Sequence, residues 1–156
     1  MRKKINIGII GRNFGYNVIY KSIIRSKLFN VIGFSFKDNA KKIILPQNIK
    51  IYKNLKKLIS DKKINAIIIS APPFMHEKMI LFAISKNKHV FCEKPPSLTK
   101  NQLLEINEFQ SDSDLILKYG FNHRFHYSVM EAKKLIQKGT MGKLLWMRGV
   151  YGKAGS

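Results

Sequence analysis

Five short apolar runs, at 5–10, 31–36, 66–70, 89–92 and 115–119, alternate with helically periodic segments at 16–27, 54–62, 75–86 and 99–109. Strands that alternate with helices imply βαβ units and a mostly parallel sheet, so the expected fold class is α/β. The runs are apolar throughout rather than at every second residue, as expected for strands covered on both faces. No internal repeat or low-complexity linker interrupts the pattern.

Local signals mark several boundaries. "TKNQLLEI" carries a capping box, with Thr99 as N-cap and Gln102 three residues on. The Pro72-Pro73 pair ends one run and leads into a helix whose Met79, Phe82 and Ala83 share a face. "YSVMEAKKLIQKG" reads as a further helix with Val129, Ala132, Leu135 and Ile136 inward, stopped by Gly139. "KLLWMRGVY" then alternates like one more strand, at 143–151.

Composition narrows the class. At 156 residues, 45% hydrophobic and 24% charged, the chain is globular rather than disordered. Its apolar runs are far too short to span a bilayer. "MRKKINIGII" has a basic start, but it lacks a small-residue cleavage site and runs into a glycine turn, so it reads as a first strand. The single cysteine, Cys92, leaves no intrachain disulfide and fits a reducing compartment, with the cytoplasm as default. The net charge of +20 raises nucleic acid or an anionic surface as a partner. However, 24 of the 29 basic residues are lysine, and in "NLKKLISDKK" they fall off the apolar stripe of Leu55, Leu58 and Ile59. Compositional bias is the better reading, with no specific nucleic acid and no membrane expected.

Three constellations can carry chemistry. The first is "IGIIGRNFGY", a strand running into a glycine turn. The dinucleotide fingerprint G-x-G-x-x-G would place glycine at 11, 13 and 16; the chain has Gly11, Asn13 and Tyr16, with a further glycine at Gly15. Such a turn at a helix start can bind phosphate through free N–H groups and the helix dipole, or can be a plain turn. The second is the end of "VIGFSFKD", where Phe36 stands in place of the usual ribose-binding acid. Phe36 there can flank an adenine and Lys37 can pair with a 2′-phosphate. The third is "NKHVFCEKPPS", which delivers Glu93, Lys94 and Pro95 at the C-terminal end of a strand, where ligands bind in open α/β sheets. A lysine there can carry a proton or stabilise a developing alkoxide.

Together, "IGIIGRNFG", "SAPPFMHEKMILFAISKNKHVFCEKP" and "GFNHRFHYSVMEAKKLIQKGTMGKLLWMRGVYG" resemble the Gfo/Idh/MocA family of nicotinamide-dependent oxidoreductases. The resemblance implies a Rossmann-type, doubly wound NAD(P)-binding domain at 1–120, followed at 121–156 by the first helix and strand of a substrate and oligomerisation domain. It implies NAD or NADP as cofactor, with Gly11, Asn13, Phe14 and Gly15 at the pyrophosphate. Ser70, Pro72 and His76 match a segment beside the dinucleotide, and Glu93, Lys94 and Pro95 match the E-K-P motif, with a Lys-Pro bond that is often cis. It places Lys94 at the nicotinamide and the substrate hydroxyl, with Glu93 orienting it, and Asn122 and Arg124 towards substrate. The stretch Arg148 to Gly152 is most similar to members acting on sugars or nucleotide sugars. The expected reaction is hydride transfer at a carbinol carbon of a sugar, nucleotide sugar or cyclitol, by a homo-oligomer when full length.

The resemblance also implies a C-terminal Asp and His that lie beyond residue 156. The chain is thus expected to be truncated and inactive alone. Other classes stay open: a non-catalytic dinucleotide-binding or scaffold protein, a basic nucleic-acid-associated protein, or an imine or biliverdin-type reductase. Among single residues, His123 and His126 lack a third ligand at suitable spacing, so no metal is expected. His89 reads as structural, and Cys92 as buried and inert.

Overall fold

The computed structural model describes residues 4–36, 43–150 and 152. The chain divides into two compact units, Met1–Gly120 and Phe121–Ser156.

The first unit is built on six parallel strands: β1 (Ile5–Ile10), β2 (Phe29–Ser35), β3 (Lys50–Ile51), β4 (Ala66–Ile69), β5 (His89–Cys92) and β6 (Leu117–Tyr119). Their order across the sheet is β3-β2-β1-β4-β5-β6. The first three strands run outward one way from β1 and the last three the other way, so the order reverses between β1 and β4. A π-helical segment, Gly15–Tyr20, runs on into α1 (Lys21–Ile23) and links β1 to β2. α2 (Leu55–Ile59) leads to β4, α3 (His76–Ser85) joins β4 to β5, and α4 (Lys100–Ser111) joins β5 to β6. The capping box is formed: Thr99 Oγ1 accepts from Gln102 N–H at 3.3 Å, and Gln102 Oε1 accepts from Thr99 N–H at 3.2 Å.

The apolar runs divide their side chains between two cores, because successive residues of a strand face opposite ways. On one face Ile67, Ile69, Val90 and Cys92 pack with Leu58, Ile59, Ile80, Ala83 and Ile106 from α2, α3 and α4. On the other, Ile7, Ile9, Val31, Phe34 and Ile68 pack with Tyr20. Phe34 stands edge-on to Tyr20 at 5.3 Å between centroids, and Tyr16 stacks on Tyr20 at 5.5 Å.

The sheet's N-terminal margin is tied by polar links. Lys88 is buried, and its Nζ donates to Asp61 O at 2.9 Å and Ile64 O at 2.6 Å. Tyr52 Oη donates to Asp61 Oδ2 at 2.6 Å. β3 was not expected from the sequence; two residues are too few to show a period.

The second unit holds a 3-10 turn, Asn122–Phe125, and α5 (Tyr127–Gln137). Two expectations fail here. No residue of α5 is buried, and Val129, Ala132 and Leu135 are exposed rather than inward. Residues 143–150 form no strand among the described residues. Alternation supplies only a face; a strand also needs a neighbour to take its N–H and C=O groups, and the described part of this unit holds none. No helix among the described residues is long and apolar enough to cross a membrane.

Ile67 is fully buried at the centre of the sheet. Ile67→Ala is expected to destabilise the fold by about 2–5 kcal/mol, read from the midpoint of urea unfolding at unchanged slope.

Candidate functional site

The C-terminal ends of the strands come level along one edge. Gly11 N–H donates to Ser35 O at 2.9 Å, Ser70 N–H to Ile10 O at 2.8 Å, Glu93 N–H to Ile69 O at 2.9 Å and Gly120 N–H to Cys92 O at 2.8 Å. This line of rungs carries Gly11, Ser70 and Glu93, with Phe36 one residue past Ser35. Three segments far apart in sequence therefore share one edge, with the reversal of strand order at its middle. In open α/β sheets the crevice at that point receives the ligand.

Gly11 makes the crevice possible. Its φ is +105°, and a Cβ there would lie 1.9 Å from the carbonyl oxygen of Ser70. Only glycine lets the two strand ends approach so closely. Gly15 lets the helix approach closely. It is buried, and a Cβ would meet Ile9 Cγ2 at 3.2 Å and Ser70 Cβ at 3.4 Å, so it brings the helix down onto the sheet. Asn13 and Phe14 are exposed in the first turn of the helix that continues into Gly15–Tyr20. Its backbone ladder is under way at Tyr16, whose N–H donates to Arg12 O at 2.8 Å. First-turn N–H groups lack intrahelical acceptors, so this end can receive a phosphate group. These features fit a dinucleotide.

Phe36 is half-buried against the aromatic group, 6.4 Å from Phe34 between centroids. Lys37 lies outside the described residues.

The turn after β4 holds Ser70, Ala71 and the exposed Pro72. His76, assigned above to the cofactor, is instead 1% exposed and turned inward. Its Nδ1 stands 2.7 Å from Pro95 O and its Nε2 2.8 Å from Ala71 O. Both ring nitrogens face main-chain carbonyls inside the fold rather than the open edge.

Lys94 is exposed at the edge and Glu93 is half-buried. The Lys94-Pro95 bond is cis. Glu93 does not pair with Lys94: the ion pair found among the described residues is Lys134–Glu131. The Glu93 carboxylate lies over Gly120, where a Cβ would come within 2.7 to 2.9 Å of its carboxylate atoms. Gly120 thus shapes the site, and its only signal in the sequence is a glycine directly after an apolar run.

Cys92 is fully buried, and its thiol is pushed up to about 12 by burial and then by the neighbouring Glu93 carboxylate. Burial likewise pushes the Tyr119 hydroxyl up to about 12, with a smaller contribution from Cys92. His89 is structural, its Nδ1 accepting from Ile116 N–H at 3.0 Å. In the second unit Asn122 and Arg124 are exposed on the 3-10 turn, and the Arg124 guanidinium lies 5.8 Å from the Phe125 ring centre.

The family model described as "Oxidoreductase family, NAD-binding Rossmann fold" (Gfo/Idh/MocA) matches residues 5–121. The chain is 34% identical over 98 residues to an uncharacterized oxidoreductase of Schizosaccharomyces pombe, covering 63% of this chain and 27% of that protein. It is 34% identical over 94 residues to the myo-inositol 2-dehydrogenase of Thermotoga maritima, covering 60% of this chain and 28% of that one. In three dimensions it is similar to the myo-inositol 2-dehydrogenase of Lactobacillus plantarum, at 25% identity and a TM-score of 0.72, over 90% of this chain and 43% of that one. The chain therefore spans under a third of the length of these two curated relatives.

Two predictions follow from this edge. Gly11→Ala is expected to destabilise the fold by at least about 1–3 kcal/mol, since the left-handed backbone and the Ser70 carbonyl both oppose it; equilibrium unfolding reads the loss. Cys92 and Tyr119 should make the fold alkali-sensitive. Their folded values lie above the unfolded values of 9.0 and 10.0, so the stability they contribute is complete below about pH 9 and is lost as pH climbs towards 12. Unfolding midpoints between pH 8 and 11 should fall, and Cys92→Ala should remove part of that slope.

Proposed function

Because the chain belongs to the Gfo/Idh/MocA oxidoreductase family, with its NAD-binding Rossmann fold, we propose that the edge around Gly11, Ser70 and Lys94 holds NAD or NADP across the β1/β4 crevice. The observation that carries the reading is the close passage of Gly11 against Ser70 beside a helix start. Gly11 and the N–H groups of Asn13, Phe14 and Gly15 would take the pyrophosphate. Phe36 would flank the adenosine end, where an acidic residue would otherwise bind the ribose, and Lys37 would meet a 2′-phosphate. Ser70 and Pro72 would line the nicotinamide half.

In the whole protein the reaction is reversible hydride transfer at a carbinol carbon of a sugar, nucleotide sugar or cyclitol. The likeness to myo-inositol 2-dehydrogenases supports the cyclitol end of that range. The nicotinamide, when bound, supplies or accepts the hydride. Lys94, exposed at the strand end, is the catalytic residue. In the reducing direction its ammonium polarises the carbonyl oxygen and donates the proton that completes the hydroxyl; in the oxidising direction its neutral amine takes that proton as the hydride leaves the carbon. Glu93, its carboxylate seated against Gly120, would add negative charge at the same strand end. Asn122 and Arg124 contribute to substrate binding, and the assembled protein is a homo-oligomer in the cytoplasm. The 156-residue chain carries the cofactor half and turns over no substrate alone.

Calorimetric titration of the chain with NADH and NADPH is the test. Binding of either is expected, and at about a hundred times its Kd the ligand should add about 2.7 kcal/mol to unfolding stability. A folded sample that binds neither would remove the proposal, and preference for NADPH would assign Lys37.

A further inference from the structure

His76 is the most completely enclosed polar side chain beside the proposed cofactor edge. It opens α3, is 1% exposed, and spans from Ala71 O, after β4, to Pro95 O, after β5. A neutral imidazole carries one N–H; with that proton on Nδ1 it donates to Pro95 O, and Nε2 faces Ala71 O without bonding it. In that tautomer the ring ties the start of α3 to the loop after β5. A residue kept only to fill the core would be apolar here, since burying a polar group is costly unless it is bonded.

The second of those loops carries Lys94. It is fixed on one side by Glu93 N–H on Ile69 O, at 2.9 Å, and just beyond Lys94 by the His76 contact to Pro95. Further on, Gln102 Oε1 accepts from Leu98 N–H at 2.9 Å and Thr99 N–H at 3.2 Å. Gln102 Nε2 in turn donates to Glu77 Oε2 at 2.8 Å, and Glu77 neighbours His76 on α3. The start of α3 therefore grips the loop at two places, directly through His76 and indirectly through Glu77.

We propose that His76 is a positioning residue: through Pro95 it holds the Lys94 loop against the nicotinamide half of the site, and it touches no ligand itself. This rests on the reading of the edge as a dinucleotide site. A dinucleotide lies across the two halves of such a sheet, so loops after β4 and β5 belong to one end of it. Displacing them should affect that end alone.

ADP-ribose, which lacks the nicotinamide ring, separates the two ends. Wild-type chain and His76→Phe would be titrated with NADH and with ADP-ribose by calorimetry. The expected result is NADH affinity reduced on the order of tenfold, as for one lost hydrogen-bonding contact, with ADP-ribose affinity unchanged. A variant that binds both ligands as the wild type does, or loses both in equal measure, overturns the positioning role. If His76→Phe does not fold, His76→Asn is put through the same pair of titrations, and equal loss of both ligands there also overturns it. Wild-type chain that is folded yet binds neither ligand refutes the dinucleotide reading itself, a result independent of the variants.

Discussion

The first unit is organised around one close approach, the passage of Gly11 beneath the carbonyl of Ser70. Two strands that part at a reversal of order need their ends to lie side by side while their loops diverge. That requires a backbone with φ of +105° and no side chain at Gly11. From this point β2 and β3 extend one way and β4 to β6 the other. The crevice, the helix start above it and the level edge of strand ends all follow from it.

The edge is held from below by main chain and from behind by the buried His76 and the half-buried Gln102. Each strand end donates one N–H to its neighbour, so the positions of Gly11, Ser70, Glu93 and Gly120 depend on one another. His76 and Gln102 add a second set of ties, made to carbonyls and N–H groups that the loops cannot satisfy alone. Lys94 stands exposed on a segment whose neighbours are fixed on both sides. This combination suits a group that must meet a substrate while its backbone stays still.

Much of this was legible in the sequence where a period or a cap states it. Continuous apolar runs gave five of the six strands, and Thr99 with Gln102 marked the start of α4. What stayed hidden depends on three-dimensional neighbours. β3 has two residues and no period. "KLLWMRGVY" has the alternation of a strand but, among the described residues, no second strand in its unit to pair with. His76 was assigned to the ligand because its motif lies beside the edge, and no local pattern distinguishes an imidazole turned inward from one turned out. Gly120 is silent for the same reason: its importance lies in the Glu93 side chain that occupies the space a Cβ would need.

The π-helical segment Gly15–Tyr20 follows directly on the shortened loop. A glycine spacing of four, from Gly11 to Gly15, is one residue less than the interval between the outer glycines of the dinucleotide fingerprint. A π turn is an α-helix with a residue inserted. The wider winding follows the shorter glycine interval directly, and Tyr20 at its end stands edge-on to Phe34. The helix behind the loop, and the ring it lays on the sheet, are therefore as much a part of this turn as its glycines, and a glycine count alone does not describe it.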